Sequence, residues 1–93
     1  MRKLLVMKFL SETVNYPDSA VDREIQGRVL VRFVIERDGK VSDVQALNGP
    51  GILQKEAIRV ISLSSGSWRP AMQAGRTVRS YKTQPIVFQL KVD

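Results

Sequence analysis

Residues 27–41 read GRVLVRFVIERDGKV, and this stretch decides the fold. Val29, Val31, Phe33 and Ile35 alternate with Arg28, Leu30, Arg32, Val34 and Glu36. A period of two places alternate side chains on opposite faces of a strand, so the first row is expected to point into a core. Leu30 and Val34 make the second face partly apolar, and a helix or a partner is expected to cover that face in places. Asp38-Gly39, within Arg37-Asp38-Gly39-Lys40, supplies the positive φ angles of a tight hairpin. Val41 to Leu47 is therefore expected to return as the antiparallel partner.

Toward the C-terminus, Asn48-Gly49-Pro50-Gly51 has the composition of a loop. Ile52 to Ser65 then carries Leu53, Ala57, Val60, Ile61 and Ser64 at helical spacing, and Gly66 is its natural stop. Lys55 and Glu56 sit near the start of this helix, where an exposed pair adds only tenths of a kcal/mol and suggests no chemistry. Trp68, just before Pro70, is expected to fold back over the helix end as core cover. Ala71 to Thr77 is polar and contains Gly75, which reads as a loop. The last run, Val78 to Val92, is strand-like, with Ile86, Phe88, Leu90 and Val92 on one face and Val87, Gln89 and Lys91 on the other. Pro85 interrupts it. Proline has no N–H to give to a sheet ladder, so this strand belongs at a sheet edge or bulges there.

Toward the N-terminus, Leu4, Met7, Leu10 and Val14 lie three and four apart, which predicts a short amphipathic helix over Lys3 to Val14. Asn15-Tyr16-Pro17 ends it. Pro17 suits the first turn of a second short helical segment, Asp18 to Glu24, with Asp18 at its positive end. The resulting order is α-β-β-α-β, an α+β chain with no repeat and no linker.

The 93 residues make a single domain, 1–93, and 43% hydrophobic against 26% charged residues is a globular mixture. The sequence holds no cysteine and no histidine. Thiolate nucleophiles, Ser-His-Asp triads, zinc clusters and imidazole acid–base catalysis are thereby excluded. Carboxylate pairs and Ser-Lys arrangements survive, but the nine acidic residues do not converge. No catalytic, metal-binding or cofactor-binding residue is assigned, and an enzyme is not expected. The net charge of +6 favours anionic partners without choosing among nucleic acid, membrane and acidic peptide. Arg28, Arg32, Arg37 and Lys40 gather near the hairpin, and Arg69, Arg76, Arg79 and Lys82 near the last loop; they can steer an acidic partner or simply keep the surface soluble. Lys8 interrupts the apolar start, so Met1 to Leu10 forms neither a secretory core nor a membrane span.

One ordered set of segments carries more information than any single piece: Tyr16-Pro17, Ile25 to Phe33, Asp38-Gly39-Lys40-Val41, Lys55-Glu56-Ala57, Trp68-Arg69-Pro70 and Pro85 to Leu90. In order and approximate spacing it resembles the C-terminal domain family of TonB energy transducers, from about Phe9 to Leu90. The resemblance implies two helices on one face of a three-stranded antiparallel sheet. It also implies a periplasmic domain that binds the TonB box, a short extended segment of outer-membrane transporters, and so couples inner-membrane energy to uptake. Parent proteins of the family begin with an inner-membrane helix that would reach proton-channel partners; that anchoring region does not occur in these 93 residues. By the same resemblance the recognition surface falls on Ile86, Val87, Phe88, Gln89, Leu90, Lys91 and Val92. A second contact falls on Thr13, Val14, Asn15 and Tyr16, although Asn15 stands where some transducers carry glutamine.

The residues alone agree with strand docking, because an edge strand offers unpaired N–H and C=O groups to an extended peptide. Two other readings stand beside it. One is a regulatory or scaffolding module of a membrane sensor-protease. The other is a basic nucleic-acid-binding domain, disfavoured because the aromatic residues sit at core-like positions and not on an open sheet face. A homodimer formed by strand exchange is left open.

Overall fold

A computed structural model describes the backbone of residues 2–5 and 16–92 and the side chains of residues 16–90. The elements are β1 (Arg2–Leu5), α1 (Asp18–Asp22), β2 (Gly27–Ile35), β3 (Val41–Asn48), α2 (Gly51–Leu63), β4 (Ala71–Gln73), β5 (Arg76–Val78) and β6 (Ser80–Val92). Strands β6, β2 and β3 form the expected three-stranded antiparallel sheet, with β2 in the middle. Both helices contribute to the core on one of its faces, so the α+β class with two helices on three strands holds.

The inward row of β2 is as its period of two requires. Val29, Val31 and Phe33 are fully buried and Ile35 nearly so, packed with Leu53, Ala57, Val60 and Ile61 of α2, Ala20 of α1, and Ile86 and Phe88 of β6. Trp68 covers the end of α2 as expected: its ring lies 5.1 Å from that of Phe33, and its Nε1 donates to Ser64 Oγ at 2.7 Å. On the opposite face Val34 is buried and Leu30 half-buried, and Tyr81, the cross-strand partner of Val34, lies with its ring centroid 5.6 Å from the Arg32 guanidinium.

Three expectations are corrected. The helix over Lys3 to Val14 fails at its start, because Lys3 to Leu5 belong to β1, which pairs with β6 as a fourth strand; residues 6–14 lie outside the described residues. Four residues show too little of either period to decide, and cross-strand pairing overrides a weak local preference. The polar stretch Ala71 to Thr77 is not a loop but the hairpin β4–β5, closed by Ala74 and Gly75 with φ of 51° and 78°. Two successive positive φ angles make the tight turn usual in hairpins, here written with alanine where asparagine would have signalled it. The final strand, in turn, begins at Ser80, and Val78 ends β5.

Gly39 closes the β2–β3 turn at φ +85°, and a Cβ there would sit 2.5 Å from the Trp68 carbonyl oxygen. The close approach exists because Gly66 N donates to Gly39 O at 2.9 Å, tying the hairpin to the end of α2. Gly39→Ala is expected to lower stability by about 2 kcal/mol or more, combining left-handed strain with a backbone clash. Urea unfolding measures it, and a loss below ~0.5 kcal/mol would mean that the turn and helix end are not held together.

Candidate functional site

Successive strand residues turn their N–H and C=O groups to opposite sides. On β2, Leu30 N donates to Asn48 Oδ1 at 3.3 Å, and just beyond the strand Glu36 N donates to Lys40 O at 2.8 Å. Even-numbered β2 residues therefore serve β3, and odd-numbered ones serve β6. On β6, Leu90 N donates to Gln26 Oε1 at 2.8 Å, which turns the even-numbered residues toward β2. Tyr81, Thr83, Pro85, Val87, Gln89 and Lys91 consequently face the outer edge. Pro85 obeys the rule drawn from its chemistry: its nitrogen, which has no proton, lies on the side where β2 asks for none, opposite Leu30.

The outer edge has two parts. From Ser80 to Phe88 no strand lies beyond β6 among the described residues, whereas Gln89 to Val92 pair with Leu5 to Arg2 of β1. Of the seven strand residues proposed from the sequence, Ile86, Val87 and Phe88 lie on the open part, with Val87 pointing its backbone outward. Gln89, Leu90, Lys91 and Val92 lie where β1 already pairs. The side chains of Ile86 and Phe88 are buried, while Val87 is exposed on the other face. Core packing thus fixes the strand while its backbone remains available.

Within the open part the groups are unevenly presented. Gln84 Nε2 donates to Pro85 O at 3.1 Å, so the outward carbonyl of Pro85 is already engaged. Among the described residues no strand pairs with the outward N–H and C=O of Tyr81, Thr83 and Val87. Tyr81 and Thr83 were missed from the sequence, although extending the alternation back through Pro85 identifies them. The Tyr81 side chain is 71% exposed and lies under the Arg32 guanidinium, 5.6 Å from ring centroid to Cζ.

Of the second proposed segment, Thr13, Val14 and Asn15 lie outside the described residues. Tyr16 is half-buried and stands edge-on to Phe88, with ring centroids 5.5 Å apart, and its hydroxyl donates to Ile25 O. Burial pushes the Tyr16 phenol above its ordinary value. The structure therefore brings the two segments together at Tyr16 and Phe88, and gives Tyr16 a packing role there.

The basic residues divide. Arg79 pairs with Glu36 at 3.0 Å and Lys40 approaches Asp38 at 3.9 Å, around a concavity that Arg37 also lines. Lys82 lies 5.6 Å from the Trp68 ring centroid. The Ser42 hydroxyl and the Arg79 guanidinium hydrogen-bond to Glu36 and hold its carboxyl below the ordinary 4.5. A depressed folded value means that this contribution to stability is present above the unfolded value and lost as pH falls through the folded one. A carbon-detected NMR titration should place the Glu36 midpoint below 4.5, and Ser42→Ala should raise it. A midpoint at or above 4.5 would count against the Ser42–Glu36–Arg79 contact.

Among the described residues no cluster of carboxylates suits a metal ion, and no helix is long and apolar enough to cross a membrane. Residues 12–90 match the family model described as the Gram-negative bacterial TonB protein C-terminal. Protein TonB of Pseudomonas aeruginosa is 31% identical over 78 residues, covering 82% of this chain and 22% of that protein. The chain thus spans about a fifth of that curated relative's length. The solution structure of the Helicobacter pylori TonB C-terminal domain, residues 179–285, superimposes with a TM-score of 0.72 at 30% identity, covering 90% of this chain and 76% of that one. The corresponding Pseudomonas aeruginosa domain gives 0.66 at 28% identity, covering 99% and 89%.

Proposed function

The chain belongs to the family of TonB protein C-terminal domains, and from that membership we propose that it is a periplasmic binding domain, not an enzyme, which docks an extended segment of an outer-membrane transporter. The observation that carries this reading is the open outer edge of β6 from Ser80 to Phe88, where Tyr81, Thr83 and Val87 keep backbone groups for a visiting strand. Such a strand gains affinity from main-chain hydrogen bonds and specificity from alternate side chains. The docking surface comprises Ile86 to Val92, extended back to Tyr81, with Tyr16 against Phe88 beside it. In the whole protein an inner-membrane anchor and proton-channel partners would supply the pull, and the joined sheet would transmit it to the transporter. Arg32, stacked on the exposed Tyr81 ring, would speed encounter with an acidic segment.

The test is isotope-edited NMR of the labelled chain titrated with a TonB-box peptide. Amides of Tyr81, Thr83 and Val87 should shift most, because each points at the visitor, while those of Ile86 and Phe88 keep their bonds to β2 and move less. Spectra unchanged across plausible peptides, or shifts confined to α2, would remove the docking reading.

A further inference from the structure

We propose that β1 is an intramolecular occupant of the docking edge, which a segment reaching past Val87 has to displace. This rests on the docking reading above and adds a regulation to it. Arg2, Lys3, Leu4 and Leu5 lie opposite Val92, Lys91, Leu90 and Gln89 in one antiparallel register. Since Gln89 and Lys91 turn their backbone groups outward, the pairs Leu5–Gln89 and Lys3–Lys91 exchange the hydrogen bonds. A row of N–H and C=O groups serves one neighbour at a time. β1 therefore withdraws the outward groups of Gln89 and Lys91, leaving those of Tyr81, Thr83 and Val87.

The occupant is suited to leaving. It is four residues long, it sits at the margin of the sheet, and short marginal strands open at far lower free energy than the core. It also lies outside the stretch that matches the family model, residues 12–90. A short visitor stopping at Val87 lies end to end with β1 and is indifferent to it. A longer one competes, and its apparent affinity falls in proportion to the fraction of molecules in which the edge is free.

The experiment titrates two TonB-box peptides into the full chain, one long enough to span Tyr81 to Val92 and one only Tyr81 to Val87. Lys3→Pro with Leu5→Pro removes both N–H donors that β1 turns toward β6 and should raise affinity for the long peptide by roughly tenfold, leaving the short one unchanged. The converse variant joins Leu4→Cys to Leu90→Cys, a facing pair that does not exchange hydrogen bonds, with Cα atoms about 4.5 Å apart and within disulfide reach. Oxidised, it should bind the short peptide only; reduced, it should regain the long one.

Equal affinity of parent and proline variant for the long peptide would overturn the proposal, as would an oxidised form that binds it undiminished or a disulfide that links two chains. A readout without peptide separates this from the docking reading. Amide hydrogen exchange at Gln89 and Lys91 should be slow in the parent and fast in the proline variant. Fast exchange in both would refute the occupant whether or not any peptide binds. Slow exchange in the parent with no peptide bound by either form would keep the occupant and sink the docking.

Discussion

Phe33→Ala is expected to destabilise the domain by about 3–5 kcal/mol, the range for truncating a buried aromatic ring. Phe33 is completely buried in the central strand, with Trp68 against one side of its ring and Lys82 opposite it on β6. The neighbours cannot close the space easily. β2 is held on both sides by β3 and β6, and Trp68 is anchored through its Nε1 to Ser64. For a domain whose whole stability is of order 5–15 kcal/mol, such a loss leaves a large unfolded fraction at 37 °C. Denaturant unfolding measures it. A loss under ~1 kcal/mol would mean that the core is not centred on this strand.

Val87→Pro is expected to weaken docking of an extended peptide by roughly tenfold or more while changing stability by less than about 1 kcal/mol. The separation of the two effects follows from direction. Val87 gives nothing to β2, its side chain is 38% exposed, and Ile86 before it is already extended as a residue preceding proline prefers. A proline there removes an outward donor and puts a ring where the visitor's backbone would lie. One residue earlier the same change acts oppositely: Ile86→Pro deletes an N–H that pairs with β2 and a fully buried side chain, and is expected to unfold the domain by ~3 kcal/mol or more. Equal effects of the two prolines on thermal unfolding would show the edge assignment of β6 to be wrong, and undiminished peptide affinity in Val87→Pro would remove Val87 from the docking row.

The central hairpin was legible because it satisfies several local rules at once. Alternation from Val29 to Ile35 names the buried row, Asp38-Gly39 names the turn, and the stripe from Leu53 to Ile61 names the helix that covers it. Pro85 limited β6 to a sheet edge or a bulge for a chemical reason, and the structure sets its nitrogen on the side away from β2, along the part of the strand that β1 does not pair. The hairpin β4–β5 was illegible because Ala74 adopts a left-handed conformation that alanine disfavours, held there by pairing of its flanks and not by its own preference. Tyr16 was placed in the docking surface by resemblance, and the structure gives its ring and hydroxyl to Phe88 and Ile25.

The sequence by itself determined the class of fold, the buried row of β2, the two turn glycines Gly39 and Gly66, and the family, since each is written in local spacing or in an ordered set of short segments. Tertiary structure alone decided which backbone groups of β6 remain for a partner. That depends on the parity of its register with β2 and on β1 arriving from the far end of the chain to pair with its last four residues. Main-chain hydrogen-bonding groups are the same in every residue but proline, so side-chain identity carries no record of which of them are already taken.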